Sequence, residues 1–569
     1  MRRRAYTRRV WRYGYLTAFL AWLMFGSGSA IFAQAPSIVE RLSPDTVFYL
    51  RWRGAAALVG AERKNHLLEL LHDPAVAPVW AALASQLGRS APQAGPVEKV
   101  LLPDLISLLD NSVVLGIVPN PDWKPPATPG RVVAPLATYL VYDETGKTEL
   151  VQKWRALSTM SSKTPMKVTT YDFGGTSVEV RTTNTGGTSY IAQTKGYFLV
   201  SDQRKVIEDL ITRFCGTDAG SKSVTGLPAY RQVRNYVDPE AALEVFGRIP
   251  DLSPWNLSES TKAIHLENIH GLGGSLSFDG EATRIRGAVL GDTSPGGPFD
   301  LAGASSPSFQ TLAVVERAPA FSISRIDFAA IYQLLLNAVV RNMPGEAARA
   351  AVSEQAAESF LGMPVIDALH LFTGEIASMT TYADDGTLEK LFAVAIQKPD
   401  SVLRLVRRLA STMIVSEDSS GSATCLDLTY PYQDPHTHVQ RKRSYYLAVT
   451  PQMLLAAPEK TMLRGAIERL GSQGDRPPAG VLANTDYASL RSHLPDRLSG
   501  LSAADISQVP WDALWASFQS QAASSAHQPN RQPPDGTWPN PGVISHYLHF
   551  TLSGWWKDPN GVYFDSYIE

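Results

Sequence analysis

Residues 144–148, Glu144-Thr145-Gly146-Lys147-Thr148, end as a phosphate-binding loop ends. The full loop needs a glycine where Val141 stands, because two glycines let backbone amides close around phosphate. The segment therefore reads as a solvated turn between a strand and a helix, and no nucleotide is expected. Gly271-Leu272-Gly273-Gly274 has part of a dinucleotide fingerprint but lacks its third glycine. It leads into Ser275-Leu276-Ser277-Phe278, a strand, where that fingerprint requires a helix. It reads as a flexible entry to a strand.

The histidines are candidates for metal ligation. His546 and His549 read as part of one strand, and residues three apart in a strand point to opposite faces. His436 and His438 would share a face near Asp434, but Pro435 places them in a loop, and zinc takes three or four ligands. Asp384-Asp385-Gly386 is turn chemistry. No carboxylate pair is set across an apolar pocket as glycoside hydrolysis requires, and there is no G-x-S-x-G elbow. Catalytic, metal and cofactor residues are all expected to be absent. The aromatic residues offer more. Trp511, Trp515, Trp538, Trp555 and Trp556 crowd the C-terminal region and can line a carbohydrate or peptide groove. Trp511 and Trp515, four apart, suit packing on a short helix. Trp538 lies in the polar, Pro-rich stretch 521–543, a long exposed loop, and is the one residue assigned to ligand binding.

The compartment is read from the start of the chain. Arg2, Arg3, Arg4, Arg8, Arg9 and Arg12 precede the apolar run Tyr15 to Phe25. Small residues follow, Gly26 to Ala30 and Ala33-Gln34-Ala35. That order is an export signal over residues 1–35, cut near Ala30 or Ala35. The alternative is an uncleaved signal anchor, in which residues 14–35 would be the chain's one contact with the membrane. Either way the arginines stay cytoplasmic and the body is periplasmic or extracellular. Thr7 to Arg12 also resembles a twin-arginine motif, though an ordinary basic start accounts for it. Beyond residue 30, 46 basic residues face 54 acidic ones, a net charge of −8, which argues against nucleic acid as a partner. Cys215 and Cys425 make no disulfide framework. After export they either form one bridge or stay as two buried thiols.

These side chains must be positioned by 569 residues, enough for more than one domain. Strands are expected at 47–50, 112–118 and 138–142, at 167–173, 177–182 and 188–193, and at 197–200. Asp73 and Pro74 should start a helix carrying Val76, Val79, Trp80, Leu83 and Leu87. A further helix is expected at 149–157. Asp202 should cap a helix whose apolar face is Val206, Ile207, Leu210, Ile211 and Phe214. Helices broken by runs of adjacent hairpin strands indicate α+β with largely antiparallel sheets and packed helices.

The second half echoes the first. Residues 190–214 align without gaps on 446–470, matching Tyr190, Ala192, Thr194, Leu199, Ile211 and Arg213 to Tyr446, Ala448, Thr450, Leu455, Ile467 and Arg469. Tyr230 falls on Tyr487, and both halves end in hairpins, at Asp279-Gly280 and Asn560-Gly561. The order of elements points to two related units, 36–300 and 301–569, joined in the Gly-, Pro- and Ser-rich stretch 291–308.

The strand Pro44-Asp45-Thr46-Val47-Phe48-Tyr49-Leu50, the Asp73-Pro74 helix and the strand-then-helix Phe198 to Phe214 resemble a family of exported bacterial proteins. That family is known only as a domain of unknown function. The likeness covers roughly the first 250 residues and loosely the rest. It implies a secreted two-repeat α+β protein and supplies no catalytic residues. The expected function is thus a non-enzymatic binding or envelope-structural role, with an envelope ligand or protein as partner. The competing expectation is a secreted hydrolase with its site in the cleft between the units.

Overall fold

The computed structural model describes residues 38–58, 65–76, 108–123, 136–160, 166–183, 187–216, 222–249, 268–292, 299, 302–306, 308–315, 318–342, 344–382, 388–433, 439–471, 480–511 and 542–569. The chain divides into two compact units. The first comprises Met1–Asn256, His270–Leu290 and Pro534–Pro539, and the second Leu257–Ile269, Gly291–Pro533 and Asn540–Glu569. Both mix helices with antiparallel strands, so the fold is α+β.

The first unit holds strands β1 (Phe48–Trp52), β2 (Val113–Pro119), β3 (Leu136–Asp143), β4 (Met166–Phe173) and β5 (Thr176–Thr183). It continues with β6 (Thr188–Thr194), β7 (Tyr197–Ser201), β8 (Leu243–Gly247), β9 (Ile269–Asp279) and β10 (Ala282–Gly291). Its helices are α1 (His66–His72), α2 (Thr148–Met160), α3 (Arg204–Cys215) and α4 (Pro228–Arg234). The strand order is β4-β5-β6-β7-β3-β2-β1-β8-β9-β10. Alternation along the strands supplies two apolar faces. One carries Leu50, Trp52, Val113, Tyr142 and Phe198 over Val151 of α2. The other buries Tyr49, Val141, Leu199 and Phe246, and α3 lays Ile207, Leu210, Ile211 and Phe214 on β6 and β7.

The second unit holds helices α5 (Leu312–Val315), α6 (Phe328–Asn342), α7 (Pro344–Leu361), α8 (Val365–Leu369), α9 (Pro399–Leu409), α10 (Lys460–Gly471), α11 (Thr485–Arg491) and α12 (Gly542–Tyr547). Its strands begin with β11 (Ala320–Arg325), β12 (Phe372–Tyr382), β13 (Leu388–Ile396), β14 (Ile414–Ser420) and β15 (Ala423–Gln433). They end with β16 (Gln440–Val449), β17 (Met453–Ala457), β18 (Gly500–Asp505), β19 (Phe550–Asp558) and β20 (Gly561–Ile568). Their order is β14-β15-β16-β17-β13-β12-β11-β18-β19-β20, every neighbour antiparallel. Phe321, Ile323, Ala377, Met379, Leu455 and Phe550 form its main core with Leu463 and Ala466 of α10. A second cluster sets Val402, Leu405 and Val406 of α9 on Leu426, Leu428 and Val449.

Several local expectations are corrected. The helix expected to start at Asp73 and Pro74 has its face, Val79 to Leu87, outside the described residues. Buried Asn65 caps α1 by accepting from the Leu68 N–H, and Asp73 ends that helix. Asp202 does not cap α3, whose N-cap is Gln203. The Asp202 carboxylate instead accepts from the Thr138 N–H and hydroxyl, both at 3.0 Å, pinning β3. His546 lies in α12 and His549 just ahead of β19, so they do not share a strand. Gly271 and Gly273 stand inside β9 rather than at its entry. They leave room for α4, and a Cβ on Gly273 would sit 2.0 Å from Val233 Cγ1. Cys215 and Cys425 are both free thiols, so the bridge is not formed. Residues 1–35, His436, His438, Asp384, Asp385 and Trp538 lie outside the described residues. Among the described residues, no helix is long and apolar enough to cross a membrane.

Candidate functional site

The polar chemistry of the second unit gathers where β11 hands over to α6. Arg325 closes β11 and faces Glu375 of β12 in direct register. Glu375 is the one charge in the otherwise uncharged strand Phe372–Tyr382, and it is 3% exposed. An ionised carboxylate is that deep only when its oxygens are satisfied. One oxygen accepts from the Thr311 N–H at 2.7 Å and the Thr311 hydroxyl at 2.8 Å. The other accepts from Arg325 Nε at 3.2 Å and Nη2 at 2.9 Å. Arg325 also donates to the Ser308 carbonyl and sits 4.8 Å over the Phe309 ring. A guanidinium held on three sides is a fixed charge, not a mobile one.

Two open pockets flank this pair, of about 680 and 740 Å³, and share Thr373 and Gln397. The larger takes its wall from Arg325, Asp327, Phe328, His370 and Phe372. Asp327 caps α6, accepting from the Ala330 N–H at 2.9 Å. Phe328 and Phe372 meet edge to face, centroids 6.3 Å apart. Gln333 and Gln397 put exposed amides into the pocket, and His370 an exposed imidazole.

The groups that could attack a substrate are already committed. Ser305 Oγ pairs with Ser499 Oγ at 2.9 Å, donates to the Lys557 carbonyl and accepts its N–H. Ser306 Oγ donates to the Ser308 carbonyl at 3.1 Å. Among the described residues, no three His, Cys, Asp or Glu side chains converge to hold a metal ion.

The first unit buries another polar cluster. Glu244, 2% exposed, accepts from the Tyr49 hydroxyl at 2.6 Å and pairs with Arg51 and Arg234, each at 3.2 Å. Burial, then the Glu244 charge, push the Tyr49 hydroxyl well above its ordinary value. Tyr49 therefore holds its proton as a donor and cannot serve as a base.

Asp327 reaches the pocket as the cap of α6. Arg325, Glu375 and His370 were missed. The readable signal was Glu375, a lone acid in an apolar strand. No family model, curated protein or solved structure matches this chain.

Proposed function

We propose that this is an exported, non-enzymatic binding protein of two related α+β units, and that the second unit takes an envelope ligand in the pocket at Arg325. Duplication is supported by the strand orders, which differ by a constant offset of ten. In each unit a long helix follows the fourth strand of the sheet order, α3 after β7 and α10 after β17. Export rests on the basic, apolar and small-residue order of residues 1–35.

The observation that carries the binding reading is the pocket wall. Its serines, Arg325 and Asp327 are spent on the fold, whereas its aromatic pair and its amides line open space. Apolar walls with a few fixed polar groups hold a ligand in one orientation. A sugar unit, with an apolar C–H face and a hydroxyl rim, fits that wall. The test is calorimetry with envelope-derived glycan fragments. Gln397→Ala should weaken binding roughly tenfold, one lost hydrogen bond to a ligand, and leave the melting temperature in place. Equal binding by this variant would sink the assignment.

A secreted hydrolase is the rival reading, here with its site in this pocket instead of a cleft between the units, and the exposed His370 imidazole is what favours it. It requires turnover in ester, peptide or glycoside screens that His370→Ala abolishes.

A further inference from the structure

We propose that the β15–β16 ribbon of the second unit is a docking edge for an anionic phospholipid bilayer. The proposal depends on neither the pocket nor the export signal. Strand β14 stops pairing at Ile414 opposite Leu428, while β15 and β16 run on together to Gln433 opposite Gln440. Thr429 still donates to the Met413 carbonyl at 2.8 Å, and beyond it Tyr430–Gln433 with Gln440–Arg443 stand as a two-stranded ribbon. It carries Arg441, Lys442 and Arg443 and no acidic residue, and Gln440 to Ser444 are all exposed.

Register sets Tyr430 opposite Arg443 and Tyr432 opposite Arg441. Directly opposed residues share a face, so cations and phenols interleave on one side of the ribbon. Two exposed valines stand near its base and its tip. Val439, 53% exposed, precedes β16, and Val415, 68% exposed, is the second residue of β14, at a register shift. The acids of β14 do not cancel the charge. Glu417 is paired with Arg407, and Asp418 stands opposite Cys425, four positions short of Thr429. The ribbon is a basic island in a chain whose net charge beyond residue 30 is −8.

A bilayer surface asks for three things together: cations for headgroup phosphates, amphipathic rings at the interface, and aliphatic side chains that enter it. A soluble polyanion asks only for the first. The company of tyrosines and exposed valines selects the bilayer.

The test uses residues 36–569, which contain every described element and omit the N-terminal arginines. Partition is measured onto phosphatidylcholine vesicles with and without phosphatidylglycerol. The protein should bind only the anionic vesicles and be released by high salt. Arg441→Gln, Lys442→Gln and Arg443→Gln together should lower partition about 100-fold, each basic residue near the surface being worth roughly a factor of five. Val415→Ser with Val439→Ser should lower it several-fold with the salt dependence kept. Unchanged melting temperatures would show that the variants fold. Undiminished partition of the triple variant, or binding to soluble polyphosphate but not to vesicles, overturns the proposal.

Discussion

Replacing Glu375 by alanine should destabilise the second unit by about 3 kcal/mol. The figure follows from what the carboxylate holds. Alanine strands the Thr311 N–H and hydroxyl, on a residue with no exposed surface, without their acceptor. A buried donor left unmade costs about 1–3 kcal/mol. It also removes the anion beside Arg325, whose side chain is 16% exposed. Breaking a buried pair from one side costs about 3–5 kcal/mol. Arg325 keeps the Ser308 carbonyl and the Phe309 ring, which places the total at the low end. In a unit of this size the change lowers the melting temperature by roughly 6–12 °C. Hydrogen exchange of β11 and β12 amides localises the loss, because those strands join at this pair. Replacing both Arg325 and Glu375 by Met should recover most of the stability, since neither charge is then left alone. A Glu375→Ala protein within about 1 kcal/mol of the parent, or one that loosens only in the first unit, would refute the reasoning.

Two further outcomes are expected. Burial pushes the Glu179 carboxyl up, but hydrogen bonds and charge from Arg181 and Arg155 outweigh it and hold the group below the ordinary carboxylate range. Because the folded value is the lower one, this stabilisation is complete above an ordinary carboxylate's titration near pH ~4.3 and drains as pH falls through the folded value. Glu179→Gln should therefore unfold about 1 kcal/mol sooner than the parent at neutral pH; urea midpoints should converge in acid, and a gap that persists there contradicts the assignment. Gly273→Ala should cost about 1–3 kcal/mol by overpacking against Val233, with Val233→Ala restoring it; thermal melts that show no rescue would place the strain elsewhere.

The sequence made strands and long helix faces readable because alternation and helical spacing are local. Val206, Ile207, Leu210, Ile211 and Phe214 named the buried face of α3, and all five are buried. Caps failed where a distant competitor took the side chain. Asp202 is drawn to Thr138, 64 positions away, and leaves Gln203 at the N-cap of α3. The pocket was illegible for the same reason. Thr311, Arg325 and Glu375 span 64 positions and meet only because β11 and β12 pair in register. No short motif can record such a meeting. The basic ribbon was hidden differently: a net charge taken over the whole chain averages Arg441 to Arg443 away.

The opening strand of each unit lies in the interior of its sheet. β1 is held between β2 and β8, and β11 between β12 and β18. A ribosome delivers β1 first, yet Phe48 meets Gly247 only after roughly 200 further residues have emerged. Until then one whole edge of the strand displays open amides and carbonyls, the surface that recruits wrong partners. Closing a loop of that length before any reward also makes for slow folding. The nascent chain thus carries a long interval of vulnerability, and a holding chaperone has its target written into the topology: the uncovered flank of β1, and later that of β11.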